Sequence, residues 1–435
     1  MSKTTRKLRL RGIAAATALA LAGPALAGQV HLDGLQSGAQ FDRFIVKFRD
    51  DAPEARDAAA LQASLRQASI AAHQMIEGQR LQAGGRAGAG KPFDVGHLRR
   101  LSVGGEVIRA TQKLDRAGAE ALMRQLAANP NVEYVEVDQL MRAIYTPNDT
   151  SYSQQWGYFE ATGGIKANEA WDITNGAGVV VAVLDTGYAA HTDLAANTIA
   201  GYDMISDATV AGDGGGRDNN PADPGDYEGG YPSSWHGTHV AGTVAAVTNN
   251  GKGVAGTAWG AKVQHVRVLG RGGGYTSDIV DGITWSSGGT VAGVPANANP
   301  AEVINMSLGG SGTCSTTYQN AINAAVARGT TVVVAAGNDN ADASGFTPAS
   351  CGNVINVAAT KNTGTRASYS NSGSTIDVAA PGGDSPDCTT LIVSTGNSGT
   401  KSPSTENYMC MAGTSMAAPH VAGTVALMQA VRTTP

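Results

Sequence analysis

Five short, nearly all-apolar runs mark the second half of the chain: GVVVAVLDTG (178–187), KVQHVRVLG (262–270), EVINMSLGG (302–310), TTVVVAAGN (330–338) and NVINVAAT (353–360). They are rich in β-branched residues, and segments with helical spacing separate several of them: HGTHVAGTVAAVT (236–248), TSDIVDGITWSS (276–287) and STTYQNAINAAVARG (315–329). Continuous apolar strands alternating with helices predict an α/β domain with a mainly parallel sheet covered on both faces. In such sheets functional residues gather at the carboxyl ends of the strands.

The first half has a different texture. RFIVKFRD (43–50) alternates Phe44, Val46 and Phe48 against Ile45 and Lys47, a strand pattern. AALQASLRQASIAAHQMIEGQRL (59–81) and DRAGAEALMRQLAANP (115–130) read as helices, the second with Asp115 as its cap and Pro130 past its end. VEYVEV (132–137) is a second strand, and AGGRAGAGKP (83–92) a flexible break. The pattern predicts a small α+β unit over 28–143 and a larger domain over 144–435, with the boundary within 141–146. No internal repeat of fixed period is visible.

Residues 1–27 stand apart from both. A basic start (Lys3, Arg6, Lys7, Arg9, Arg11) precedes an apolar run ending in Ala25-Leu26-Ala27. This is the pattern of a secretory signal peptide, and its apolar run is short of the roughly 20 residues of a membrane span. The expected product is secreted, extracellular or periplasmic, and not held in a membrane.

Charge follows the same division. Residues 1–143 hold 20 Lys and Arg against 14 Asp and Glu, whereas residues 144–435 hold 11 against 22. An acidic exported domain argues against nucleic acid as a partner. All four cysteines, Cys314, Cys351, Cys388 and Cys410, lie in the larger domain, with no C-x-x-C pair that would suit zinc. Export favours disulfides. Three pairings are open, and the sequential one, Cys314–Cys351 with Cys388–Cys410, closes the shorter loops.

The ends of the apolar runs carry the candidate chemistry. Asp185 follows VVVAVL, where it is either a turn residue or a functional acid. His236 opens an apolar helix, with His239 three residues on but no glutamate of an H-E-x-x-H metal site. Asn338 ends TTVVVAAGN. Ser415 opens the helix of GTSMAAPHVAG (413–423), where a serine caps or acts as a nucleophile beside free N–H groups. Pro419 is accommodated if it lies in the first turn, which lacks intrahelical acceptors. Together these residues form the set acyl transfer needs: a hydroxyl, a base, an acid to hold the imidazole tautomer, and amide donors for an oxyanion. A dinucleotide site at Gly176 and Gly178 is disfavoured, because those glycines precede a strand rather than follow one.

The stretches VVVAVLDTGYAAHTDL, HGTHVAGTVAA, AAGN and GTSMAAPHVAG resemble the signature motifs of the subtilisin family of serine proteases, and SYSNSGSTIDVAAPGG (368–383) resembles a further segment of it. The resemblance runs from about Trp156 to the end, and the unit at 43–138 resembles the family's inhibitory propeptide. It implies a subtilisin-like three-layer domain in a secreted, self-processed serine endopeptidase of bacterial type. Asp185, His236 and Ser415 would form the triad, Asn338 would be the oxyanion donor, and His239 a structural neighbour. Ser307, Leu308, Gly309 and Gly310, with Ala335, Ala336 and Gly337, would wall the pocket for the residue before the scissile bond, and 307–309 would pair with the substrate as an added strand. The small residues there predict a broad specificity with apolar preference. Substrates would be proteins or peptides, and the enzyme's own propeptide its inhibitor. The expected state is a monomer.

DGGGRDNNPADPGDYE (213–228) groups Asp213, Asp218, Asp223 and Asp226 in a loop before His236. Oxygen ligands on an irregular loop suit calcium, which many subtilases bind, and the alternative is a solvated acidic loop. The chain stops 20 residues after Ser415, shorter than the family's usual catalytic domain. That departure keeps open a second reading, a truncated or non-catalytic relative acting as a binding module. The intact Asp/His/Asn/Ser set speaks against it.

Overall fold

The computed structural model describes residues 28–35, 40–84, 91–141, 146–384 and 387–432. The signal segment at 1–27 and most of the expected 141–146 boundary lie outside them. The chain divides into two compact units, 1–141 and 142–435.

In the first unit the strands are β1 (Gln29–Val30), β2 (Phe41–Phe48), β3 (Val95–Arg100), β4 (Glu106–Leu114) and β5 (Val132–Val137), in the sheet order β1-β5-β2-β4-β3. Two helices pack together on it: α1 (Ala58–Gln82) and α2 (Arg116–Ala127). The alternation of β2 has its expected effect, with Phe44, Val46 and Phe48 buried against Leu61 and Leu65 of α1 and Leu122 and Leu126 of α2. Asp115 caps α2 by accepting the Gly118 N–H at 2.8 Å. Strands β3 and β4 had no clear sequence signal, because β3 (VGHLRR) is mostly polar and exposed.

The larger unit is built on seven parallel strands. These are β6 (Val180–Asp185), β7 (Thr198–Asp203), β8 (Lys262–Arg267), β9 (Val303–Met306), β11 (Thr331–Ala335), β13 (Ile355–Thr360) and β14 (Val378–Pro381), ordered β14-β13-β11-β9-β6-β8-β7. Five are the apolar runs of the sequence. Two short antiparallel pairs complete the set: β10 (Gly310–Ser311) with β12 (Phe346–Thr347), and β15 (Ile392–Asn397) with β16 (Glu406–Met411). Helices α3 (His236–Ala245) and α6 (Thr414–Ala430) cover one face, α4 (Thr276–Ser286) and α5 (Thr316–Ala327) the other.

Strand parity assigns residues to faces. Val181 and Val183 of β6 join the core of Val240, Ala241 and Val244 from α3 and Met416, Ala417 and Ala422 from α6. Ala182 and Leu184 join Ile279 and Ile283 of α4 and Ile322 and Ala325 of α5. Each buried Val or Leu stabilises by about 1.5–3 kcal/mol. Asp185 continues the odd-numbered series, so its side chain belongs to the face carrying the helices of His236 and Ser415. Disulfides join Cys314 to Cys351 and Cys388 to Cys410, the sequential pairing. Among the described residues, no helix is long and apolar enough to cross a membrane.

Candidate active site

Asp185 is fully buried at the carboxyl end of β6, and its Oδ1 lies 2.7 Å from Nδ1 of His236. The same oxygen accepts the Thr186 N–H at 2.8 Å. His236 is the first residue of α3. Burial pulls its pKa down. The charge and hydrogen bond of Asp185, with the charges of Asp226 and Asp223, outweigh that and hold it above the ordinary histidine value. His239, one turn on, is a structural group. It is buried with Nε2 donating toward the carbonyls of Ile392 and Met409 at 3.0 and 3.2 Å, and burial pushes its pKa down to about 3.

Ser415 is the second residue of α6, and no side chain caps that helix. Its hydroxyl donates to the Ser307 carbonyl at 3.2 Å, and the Ser307 hydroxyl donates back to the Ser415 carbonyl at 2.8 Å. This exchange changes the reading of Pro419. The proline is the sixth helical residue, not part of the first turn, so it does delete an intrahelical bond. The acceptor left free four residues earlier is the Ser415 carbonyl, which Ser307 satisfies.

Asn338 follows β11 and uses its Oδ1 to accept the N–H and hydroxyl of Thr414, both at 2.9 Å. Its Nδ2 is thereby aimed beside the start of α6. A β-carbon built on Gly413 would stand 3.5 Å from both Asn338 Nδ2 and the Ser415 nitrogen. Two N–H donors therefore border one small volume beside the Ser415 hydroxyl.

That volume opens into a cavity of about 350 Å³. Ser307, Leu308, Gly309 and Gly310 form one side and Ala335, Ala336 and Gly337 another, as the sequence suggested. Sequence reasoning missed the third side, Phe346, Thr347 and Ala349, and also Asp339. Phe346 and Thr347 belong to β12, whose pairing with β10 closes the rim. No local signal marks a two-residue strand. Cys314–Cys351 ties the chain just beyond β10 to the chain just beyond β12.

The acids of the loop at 213–228 each have local contacts. Asp213 accepts the Gly215 N–H and pairs with Arg267 at 3.3 Å, and Asp218 accepts the Asn220 N–H. Asp223 is buried on the Gly225 N–H, and Asp226 holds Ser234. Among the described residues, no three His, Cys, Asp or Glu side chains are gathered to hold a metal ion. Asp223 Oδ2 is buried with no hydrogen-bond partner among the described residues, and burial, with the charge of Asp226, pushes the Asp223 carboxyl up to about 6.

Asp149 and Asp193 are both buried near residues 249–254. Asp193 accepts from Asn250 Nδ2 and the Val254 N–H, while Asp149 Oδ2 accepts the Asn249 N–H. Asp149 Oδ1 is buried with no hydrogen-bond partner among the described residues. Burial, with the charge of Asp193, pushes the Asp149 carboxyl above its ordinary range.

Residues 176–434 match the model of the subtilase family. An extracellular protease of Xanthomonas campestris pv. campestris is 56% identical over all of this chain and 73% of its own length. An extracellular basic protease of Dichelobacter nodosus is 47% identical over 89% of this chain, which spans 62% of that protein. The solved structure of a protease from Pseudoalteromonas arctica superposes with a TM-score of 0.65 at 59% identity, covering 66% of this chain and 87% of that one.

Proposed function

The chain belongs to the subtilase family of secreted serine peptidases, and on that premise we propose that Ser415 is the nucleophile, His236 the general base and Asp185 its orienting acid. The observation that supports this most directly is the buried Asp185 carboxylate 2.7 Å from His236 Nδ1. That bond fixes the tautomer that leaves Nε2 free to take a proton. Ser415 Oγ, released from the Ser307 carbonyl, attacks the scissile carbonyl carbon and passes its proton to Nε2. The oxyanion that forms is met by the Ser415 N–H and Asn338 Nδ2. His236 then returns the proton to the leaving amine, and water cleaves the acyl-enzyme by the same route.

The cavity side chains named above are small or apolar except Asp339, which fits broad endoproteolysis with an apolar preference. Residues 307–309 would run beside the substrate backbone as an added strand. We assign the unit before residue 142 the role of a propeptide that inhibits the enzyme until it is cut. Beside the loop at 213–228, calcium also fits Asp149 and Asp193. A divalent cation there would relieve two buried carboxylates and satisfy the orphaned Asp149 oxygen.

The deciding experiment is fluorophosphonate labelling followed by mass mapping. The label is expected on Ser415 alone, and Ser415→Ala is expected to accumulate uncleaved precursor. Label on another residue, or none on folded protein, removes the assignment.

A further inference from the structure

The helix that carries His236 begins without an ordinary cap. Its capping position is Trp235, in a left-handed conformation with φ 54° and no side-chain hydrogen bond to the helix. Its first two amides still find acceptors. Gly237 N–H donates to the Thr186 hydroxyl at 3.1 Å, and His236 N–H donates to Ser234 Oγ at 3.2 Å. Ser234 is itself gripped twice. Its N–H donates to Asp226 Oδ1 at 2.7 Å and its hydroxyl to Asp226 Oδ2 at 2.6 Å. An unbroken line of hydrogen bonds thus runs from Asp226 through Ser234 to the backbone of His236. Neighbouring bonds hold the same stretch to the 399–401 turn: Ser233 Oγ to the Lys401 carbonyl at 2.8 Å and Trp235 Nε1 to the Gly399 carbonyl at 2.7 Å.

We propose that Asp226, acting through Ser234, is a positioning residue of this enzyme that fixes the backbone of His236. From that place its negative charge also favours the protonated imidazole. A negative charge at a helix N-terminus is favourable, and the same charge stabilises an imidazolium nearby. Asp226 is not alone in acting on His236. Asp185 bonds Nδ1, and Asp223 adds charge from the same loop. His239 on α3, His265 on β8 and His420 on α6 are buried and held neutral, with values of about 3, 3 and 4. Arg267 on β8 is paired with Asp203. The line ends on the amide rather than the ring of His236, so Asp226 touches no reacting atom.

The inference rests on His236 being the base, and the test separates the two. Active sites of the full secreted enzyme are titrated with a fluorophosphonate, and kcat and KM for a short uncharged peptide amide are followed against pH. His236 must be neutral to work, so a higher pKa moves the acid limb of kcat/KM to higher pH. Asp226→Asn keeps the shape and removes the charge. The expected result is an acid limb about half a pH unit lower, with KM within about twofold. Ser234→Ala breaks the line and is expected to lower plateau kcat several-fold, with Ser234→Thr restoring it. An unmoved limb in Asp226→Asn overturns the proposal while Ser415 still titrates normally. Should that variant fail to fold, a Ser234→Ala enzyme with unchanged plateau and limb overturns it equally. Loss of Ser415 labelling in the wild type would instead strike at the function itself.

Discussion

Ser307 and Ser415 hold each other through crossed hydrogen bonds, each hydroxyl donating to the other's carbonyl, at 2.8 and 3.2 Å. The pair couples the start of α6 to the segment that borders the cavity. Pro419 has no N–H to donate to the Ser415 carbonyl, so the Ser307 hydroxyl takes the place of the helical donor. Ser307→Ala would leave that carbonyl without its partner and free the backbone of the proposed nucleophile. We expect kcat to fall about five- to tenfold with KM within about twofold, the scale of one neutral hydrogen bond. Active-site-titrated kinetics on a short peptide check it; a rise confined to KM would contradict it.

The pH dependence follows from the sign of the His236 shift. Because Asp185, Asp226 and Asp223 together hold its pKa up against burial, the acid limb of kcat/KM should lie above the ordinary histidine value of 6.5. Asp185→Asn removes the largest of those charges and the tautomer lock. It should depress kcat by about 10⁴-fold, the order found where this geometry has been dissected. A pH–rate profile of the wild type and a titrated rate for the variant are the measurements.

The acidic loop suggested a metal by its composition, and composition alone is a weak guide there. Three of the four loop acids accept an N–H two residues ahead: Asp213 from Gly215, Asp218 from Asn220 and Asp223 from Gly225. Such turns draw Asp and Gly into a loop for backbone reasons and imitate the composition of a cation site. Asp149 and Asp193 are 44 positions apart in the chain, so no local pattern could join them. The central strands were legible because parallel strands buried on both faces must be continuously apolar. The edges were not: β7 contains Gly201 and ends in Asp203, and β14 ends in Pro381. Asp185, His236, Asn338 and Ser415 drew attention in the sequence because each lies at or just past the end of a strand or at the start of a helix. The Ser307–Ser415 exchange did not, since its partners lie 108 residues apart.

Chelation tests the cation site proposed at Asp149 and Asp193. A site held at a hundredfold excess over its Kd contributes about 2.7 kcal/mol. Removal should therefore lower the Tm by about 5–10 °C in a domain of this size. Asp149→Asn should abolish most of that response, whereas Asp213→Asn and Asp218→Asn should retain it. Thermal unfolding with and without chelator decides; the opposite pattern would return the site to the loop.

The Cys314–Cys351 bridge spans 37 residues and closes behind β10 and β12. The paired serine variant should lose about 2–4 kcal/mol of stability, the usual range for a native disulfide. Its KM for peptides with a bulky apolar residue before the scissile bond should rise more than its kcat falls. Calorimetry and steady-state kinetics on matched peptides read both effects, and equal losses in kcat and KM for small and bulky residues would contradict the rim's role.

Strand β6 imposes a counting rule on its own evolution. Val181, Val183 and Asp185 share one side of the sheet only because the strand steps by two. Deleting or inserting a single residue between them would swing Asp185 into the opposite core, away from His236, while leaving every residue type in place. Changes of length in this strand are therefore tolerable only in pairs, a constraint that no composition or motif search expresses.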